Sequence, residues 1–359
     1  MTPENLALLY NCFLLFLAVL FYSSRSNNSL RNGSTFLLLL VVLSYIGFRE
    51  IDPFYVDTVT YSMMYKEYEA FPLDSFTKHP DYGFGLFTLV MSYFHSERLY
   101  FIVIGLLYVM PVFFVLKKHV PNNYYVGLLL FIGSMSFMPY GVNGLRNGLA
   151  TTFLVCAFFN KKILMQLLWI VLACSMHKSV ALPAFIFLVT RYYNKPKMYV
   201  YLWFLCIVLT IVAHGQLESW LGSLSIFNDG NDNRLAGYMS GKFDGGETGN
   251  VSFSNTGFRY DFLLYSAIPI YLGWQYIAKF KFTELFYTRL FCTYVATNAA
   301  WVLTIYIPFN NRFAYLSWFI YPLVMSYPLL VQNGLIPRQS NRVKLMVLLN
   351  SLFTFMMFL

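Results

Sequence analysis

Apolar stretches of twelve to twenty residues recur along almost the whole chain, separated by short joints that carry basic residues in twos and threes. This alternation leaves little polar surface with which to face water. A soluble domain averages about 25% charged residues, whereas this chain has 11%, against 58% apolar side chains. A helix crosses a bilayer core with about 20 apolar residues, or fewer where it is broken or the bilayer is thin. On that basis twelve crossings are expected, at 5–22, 35–48, 99–116, 124–140, 146–160, 163–176, 179–190, 198–214, 261–278, 287–306, 313–331 and 345–359. The expected fold class is an all-α integral membrane protein. It is a polytopic bundle of about twelve transmembrane helices, with short re-entrant or interfacial helices, in a single membrane domain spanning 1–359.

Charge sets the expected orientation. The stretch Tyr82–Phe94, between Asp81 and His95, is too short to cross and reads as a re-entrant or interfacial helix. With that segment kept out of the count, fifteen of the 25 Lys and Arg fall on one side, with only Glu284 of the 16 acids. The positive-inside rule makes that side cytoplasmic. Crossing at 82–94 would instead carry Arg25 and Arg31 outside. The run 163–190 could be one tilted helix broken at His177, but a hairpin keeps Arg191, Lys195 and Lys197 inside. The outer, periplasmic segments are then 49–98 and 215–260, and the Gly- and Asn-rich stretch 222–257 reads as a mobile loop or lid. The first apolar run has its arginines after it rather than before it, which marks a membrane helix and not a signal peptide.

The net charge of +9 does not point to nucleic acid, because the basic residues lie in loops and do not form a phosphate-tracking face. All five cysteines sit within apolar runs, which reads as packed thiols and not as a disulfide framework or metal site. No P-loop, dinucleotide loop or His-Glu-x-x-His helix occurs, nor an Asp-x-Asp pair. Any catalysis is therefore expected to be free of metal and cofactor, or to use a site that the sequence does not advertise.

Arg146 is the most informative residue. Pro139-Tyr-Gly-Val-Asn143-Gly144 should break the chain just before it, and Asn147-Gly148-Leu-Ala150 continues as helix. An arginine in the first turn of a helix, beside unpaired N–H groups, suits a phosphate; the alternative is headgroup snorkelling. Arg312 repeats the pattern after Pro308-Phe-Asn310-Asn311, with Asn as a helix cap. Two such ends on the outer face would match a pyrophosphate. Arg49 is either a third phosphate contact or half of a surface pair with Glu50, and Asp57 nearby could take a proton. The interleaved Tyr55, Tyr61, Tyr65 and Tyr68 suit sugar stacking or a membrane aromatic belt. His177 lies at a helix junction within an apolar stretch, as a catalyst or a structural hydrogen-bonder. His79, His95, His119 and His214 are loop or boundary residues.

Several blocks in order resemble the Wzy-type polysaccharide polymerases of the EpsG-like group. They are Gly47-Phe48-Arg49, Asp57-x-x-x-Tyr61, His79-Pro80-Asp81-Tyr82, Leu145-Arg146-Asn147-Gly148-Leu149-Ala150, Met176-His177-Lys178-Ser179 and Asn311-Arg312-Phe313, across about residues 45–325. The family more usually has Arg-Gln-Gly at Arg146-Asn147-Gly148, and often Glu-Pro-Gly-Tyr at the His79 block. That displaces the carboxylate to Asp81, to which no role is carried over.

The resemblance implies a glycosyltransferase at the periplasmic face of the bacterial inner membrane. It would move a growing glycan from undecaprenyl pyrophosphate onto another lipid-linked repeat unit. It implies substrate contacts at Arg49, Arg146, Arg312, Tyr61 and Asn147, and His177 or Asp57 as the base. Its implied partners are the lipid-linked donor and acceptor, membrane lipids, and the chain-length regulator and flippase of the same pathway. A lipid-linked oligosaccharide transporter or flippase is the main alternative, since it could use the same outer arginines. Almost no ionisable residue lies inside the spans, which disfavours ion coupling. An O-acyltransferase would rest on His177 alone, and a scaffold would leave the one-sided clustering of arginines and acids unexplained.

Overall fold

The computed structural model describes residues 2–24, 31–55, 57–223, 257–306 and 310–359. The described residues are helical throughout, with no strand. In chain order the α-helices are α1 Pro3–Ser23, α2 Arg31–Phe48, α3 Asp57–Ala70, α4 Pro72–Lys78, α5 Tyr82–Ser92, α6 Glu97–His119, α7 Tyr124–Ile132 and α8 Leu145–Phe159. They continue as α9 Ile163–Met176, α10 Ala181–Val189, α11 Pro196–Ser223, α12 Tyr260–Trp274, α13 Leu285–Val302, α14 Asn311–Trp318, α15 Tyr321–Val331 and α16 Gln339–Phe358. The loop expected at 222–257 falls almost entirely outside the described residues.

Among the described residues four helices are long and apolar enough to cross a membrane: Pro3–Ser23, Glu97–His119, Pro196–Ala213 and Asn311–Val331. The other expected crossings are helical but shorter, interrupted or insufficiently apolar, so length and composition alone do not carry the count to twelve. The run expected at 124–140 stops at Gly133 and resumes only as a wide turn at Pro139–Asn143. The run at 163–190 is broken at His177, whose backbone is extended. The helix α5 has 11 residues, or about 16 Å at 1.5 Å per residue, well short of a hydrocarbon core of about 30 Å. Large apolar side chains stand bare on the outer faces, among them Phe16, Leu164, Val171, Val208 and Val212. Exposure on that scale fits a lipid surround, because water would make it costly.

The chain divides into two compact units, residues 1–184 with 325–359, and residues 185–324. In the first, α1 packs on α16, α2 on α6, and α8 between α6 and α9, while the short helices α3, α4 and α5 pack together and against α6 and α9. Local sequence explains the long α6. Ser96 caps its start by accepting from the Leu99 N–H at 3.3 Å, Glu97 sits in its first turn, and Lys117, Lys118 and His119 in its last, complementing the helix dipole at both ends. In the second unit a buried polar knot joins four helices. The Asn298 amide donates to Ser266 Oγ at 3.0 Å and Ser317 Oγ at 2.9 Å, while Trp203 donates to Asn298 Oδ1 at 2.8 Å and Trp318 to Ser266 Oγ at 2.7 Å. Such a satisfied network fixes register where apolar packing alone would allow sliding.

The helix α8 is the spine of the first unit. Every one of its residues is buried except Arg146 and Asn147, in its first turn. Gly148 lets that turn approach the Pro139–Asn143 bend, since a Cβ there would lie 2.5 Å from the Tyr140 carbonyl oxygen. Gly148→Ala is therefore expected to force the bend and helix apart and cost about 1–3 kcal/mol, as overpacking does. It should read as a lowered thermal unfolding midpoint of the detergent-solubilised protein.

Candidate active site

Three segments distant in sequence meet at the open end of α8. Asp81 ends the loop before α5, Arg146 opens α8, and His177 occupies the break after α9. Asp81 Oδ2 accepts from Arg146 Nη1 at 2.7 Å and lies 2.9 Å from His177 Nδ1; Oδ1 accepts from the Lys178 N–H at 3.3 Å. The carboxylate is shut away, with 3% of its side chain exposed, against 21% for Arg146 and 24% for His177. The cation and the imidazole thus face outward, and the anion that orders them stands behind.

Each component has a local cause. Asp81 sits at the N-cap position of α5 but makes no side-chain cap, because its carboxylate is committed across the chain. The loop that carries it is pinned by His79, whose Nδ1 lies 3.1 Å from the Asp81 N–H. The helices α5 and α9 come close enough to bring Asp81 to His177 because residue 83 is glycine; a Cβ there would lie 2.8 Å from the Ser175 carbonyl carbon. The extended backbone of His177 turns its ring out of α9, and its own N–H still closes that helix onto the Ala173 carbonyl at 3.2 Å. Tyr61, from α3, lies near enough to the Arg146 guanidinium to interact with its charge. Ser179 donates to Asn147 Oδ1 at 2.8 Å, leaving the amide N–H groups as the donor end of Asn147.

The other residues expected at a site are placed differently. Arg49 is 2% exposed and spends its guanidinium inside the protein. It donates to Thr58 Oγ1 and the Val142 carbonyl, each at 3.2 Å, and to the Ile46 carbonyl, with Phe101 beneath it at 4.8 Å. It ties α2 to α3 and to the Pro139–Asn143 bend. Asp57 opens α3 and is half-buried, but the carboxylate on Arg146 and His177 is Asp81. Arg312 is exposed in the first turn of α14 and belongs to the second unit. Asn310, expected as a cap there, instead turns its amide back onto the Ile305 carbonyl. The sequence reading gave no role to Asp81. The signal available was its place in the His79 block, a carboxylate followed directly by an apolar helix. No trio of His, Cys, Asp or Glu is grouped to hold a metal ion among the described residues.

A sequence model of the EpsG family matches residues 34–359, nearly the whole chain. The chain belongs to the EpsG family. This is a family of Wzy-type polymerase-like membrane proteins, and all three members of the Asp81–Arg146–His177 cluster lie within the matched region. Neither a curated protein nor a solved structure matches the chain.

Electrostatics at the EpsG-family site favour a fixed ionisation pattern. Burial pushes the Asp81 carboxyl up, but the hydrogen bond from His177 and the charge of Arg146 outweigh it and hold its pKa below the usual value. His79 is also shifted down, first by burial and then by the Arg146 charge. It is therefore neutral at pH 7 and can accept from the Asp81 N–H. A depressed carboxyl pKa stabilises the fold above the unfolded value near 3.9, and that gain is lost as the pH falls through the lower folded value. Asp81→Asn is expected to cost on the order of 3 kcal/mol at neutral pH, because it strips a buried pair of its anion. Unfolding of wild type and variant, compared from about pH 7 to about pH 3, should show a constant gap that closes only at the acid end.

Proposed function

We propose that this chain is a polysaccharide polymerase that transfers a growing glycan from undecaprenyl pyrophosphate to the sugar hydroxyl of another lipid-linked repeat unit. The reaction would occur at the periplasmic face of the bacterial inner membrane. The observation that carries this reading is the sharing of one buried Asp81 oxygen between Arg146 and His177. That arrangement supplies the two things the reaction needs, a base for the acceptor and a fixed cation for the leaving group.

In this reading His177 holds its proton on Nδ1, against Asp81, so the lone pair on Nε2 is free. Nε2 takes the proton of the acceptor hydroxyl as its oxygen attacks the anomeric carbon of the donor. The bond from that carbon to the pyrophosphate oxygen breaks, and the pyrophosphate leaves with the electron pair. The imidazolium formed is stabilised by Asp81, which stays ionised and acts as a positioning residue, the role a buried carboxylate plays behind a catalytic histidine. Arg146 meets the charge developing on the pyrophosphate with the guanidinium N–H groups not held by Asp81. Asp57, the alternative base to His177, takes no part in this reading. Tyr61 and Asn147 border the same opening as substrate contacts. Arg49 is excluded from direct phosphate contact because its guanidinium is spent on Thr58 and on the Ile46 and Val142 carbonyls.

His177→Ala is expected to lower the polymerisation rate by about 10²–10⁴, the usual worth of a general base. Arg146→Ala should lower it by about 10²–10³. The assay is purified protein acting on lipid-linked repeat units, with glycan length read on a gel and protein level and insertion checked in the same membranes. Wild-type chain lengths in both variants would sink the assignment. In cells lacking the gene, the ladder should collapse to a core bearing one repeat unit. Loss of even that single unit would instead give the flippase reading the lead.

A further inference from the structure

The same spine helix has a second feature at its other end. α8 has 15 residues, so Arg146 and the Asn160 joint stand about 22 Å apart along its axis. There, between the last turns of α6 and α8 and the middle of α9, lies a groove of about 320 Å³. Its walls are apolar, formed chiefly by Phe114, Val115, Phe159 and Trp169, and Lys118 and His119 stand on its rim. The His119 ring stands tilted against that of Phe159, 4.9 Å from it.

The rim is cationic without a counterion. Lys118 lines the groove and Lys117, Lys161 and Lys162 are exposed at the adjoining helix ends, and among the described residues none of the four makes a salt bridge. The charges of Lys118 and Lys161 both reach His119, so the positive groups crowd one another. Cations at a helix end are ordinary, since they suit the dipole and the inner face of a membrane. A cationic rim directly above an apolar groove of ligand size is a different matter, because one molecule can satisfy both parts. That molecule must carry a phosphate without its own positive charge, and a hydrocarbon chain next to it.

We propose that this groove binds one anionic phospholipid. One acyl chain lies along Phe114, Phe159 and Trp169, and the phosphate sits between Lys118 and Lys161. The site does not depend on the polymerase reading, because none of its residues belongs to the Asp81 cluster. A zwitterionic lipid of the same chain length fits the groove but brings its own cation to the rim, so it should be held more weakly.

The test is native mass spectrometry of the full-length protein in a neutral detergent, titrated with short-chain phosphatidylglycerol and with phosphatidylcholine of equal chain length. Phosphatidylglycerol should occupy one site at least about tenfold more tightly than phosphatidylcholine. The double variant Lys118→Gln/Lys161→Gln should lose that preference while still binding both lipids weakly. Val115→Trp, which fills the groove without touching its charge, should weaken both lipids together. Inorganic phosphate in equal concentration should displace neither. The proposal is overturned if the lysine variant keeps the preference, if the two lipids bind wild type equally, if Val115→Trp binds as wild type does, or if inorganic phosphate competes.

Discussion

A carboxylate taken out of water costs several kcal/mol unless its lone pairs and its charge are answered. In this protein Asp81 is answered three times over, by a guanidinium, an imidazole and a backbone N–H. The arrangement of the first unit around α8 can be understood as what that solution requires. The loop before α5 must reach the start of α8, α9 must be interrupted so that His177 can turn toward it, and α5 must approach α9 to the point where only glycine fits at residue 83. Arg146 and Asn147 are the two residues of α8 left partly open, and they are the two at the mouth of the cluster.

Burial and chemistry are coupled in this layout. The anion, almost wholly enclosed, feels its partners at a low effective dielectric, so His177 and Arg146 are held in fixed orientation without being hidden themselves. An imidazole and a guanidinium with preset geometry need no reorganisation when charge moves. Arg49 shows the contrasting use of the same side chain. Enclosed and turned onto backbone carbonyls and Thr58, it braces the bend that delivers Arg146 and has few donors to spare for a ligand.

The two ends of α8 also divide labour by residue type. The opening end gathers opposite charges into a saturated, oriented set. The closing end gathers like charges over an apolar groove, an arrangement that calls for something from the membrane to neutralise it. A single buried helix of 15 residues, about 22 Å long, thereby separates the Asp81 cluster from the groove.

Much was decided by the sequence itself, and for a clear reason. Apolar runs, Gly/Pro breaks and loop charges are local features, so the all-helical class, the break before Arg146, the break at His177 and the short helix after Asp81 could all be read directly. The EpsG resemblance rested on the same local blocks. What only the tertiary structure decided was which charged residues meet. Asp81 is 65 residues from Arg146 and 96 from His177, and no local pattern marks that pairing. Asp57, beside Arg49 in sequence, looked the better carboxylate because proximity along the chain was the only proximity visible. Arg49 likewise looked free until the fold surrounded it with acceptors. Whether a polar side chain serves a ligand or the protein depends on what the remote chain brings to its other donors, and that is a property of packing.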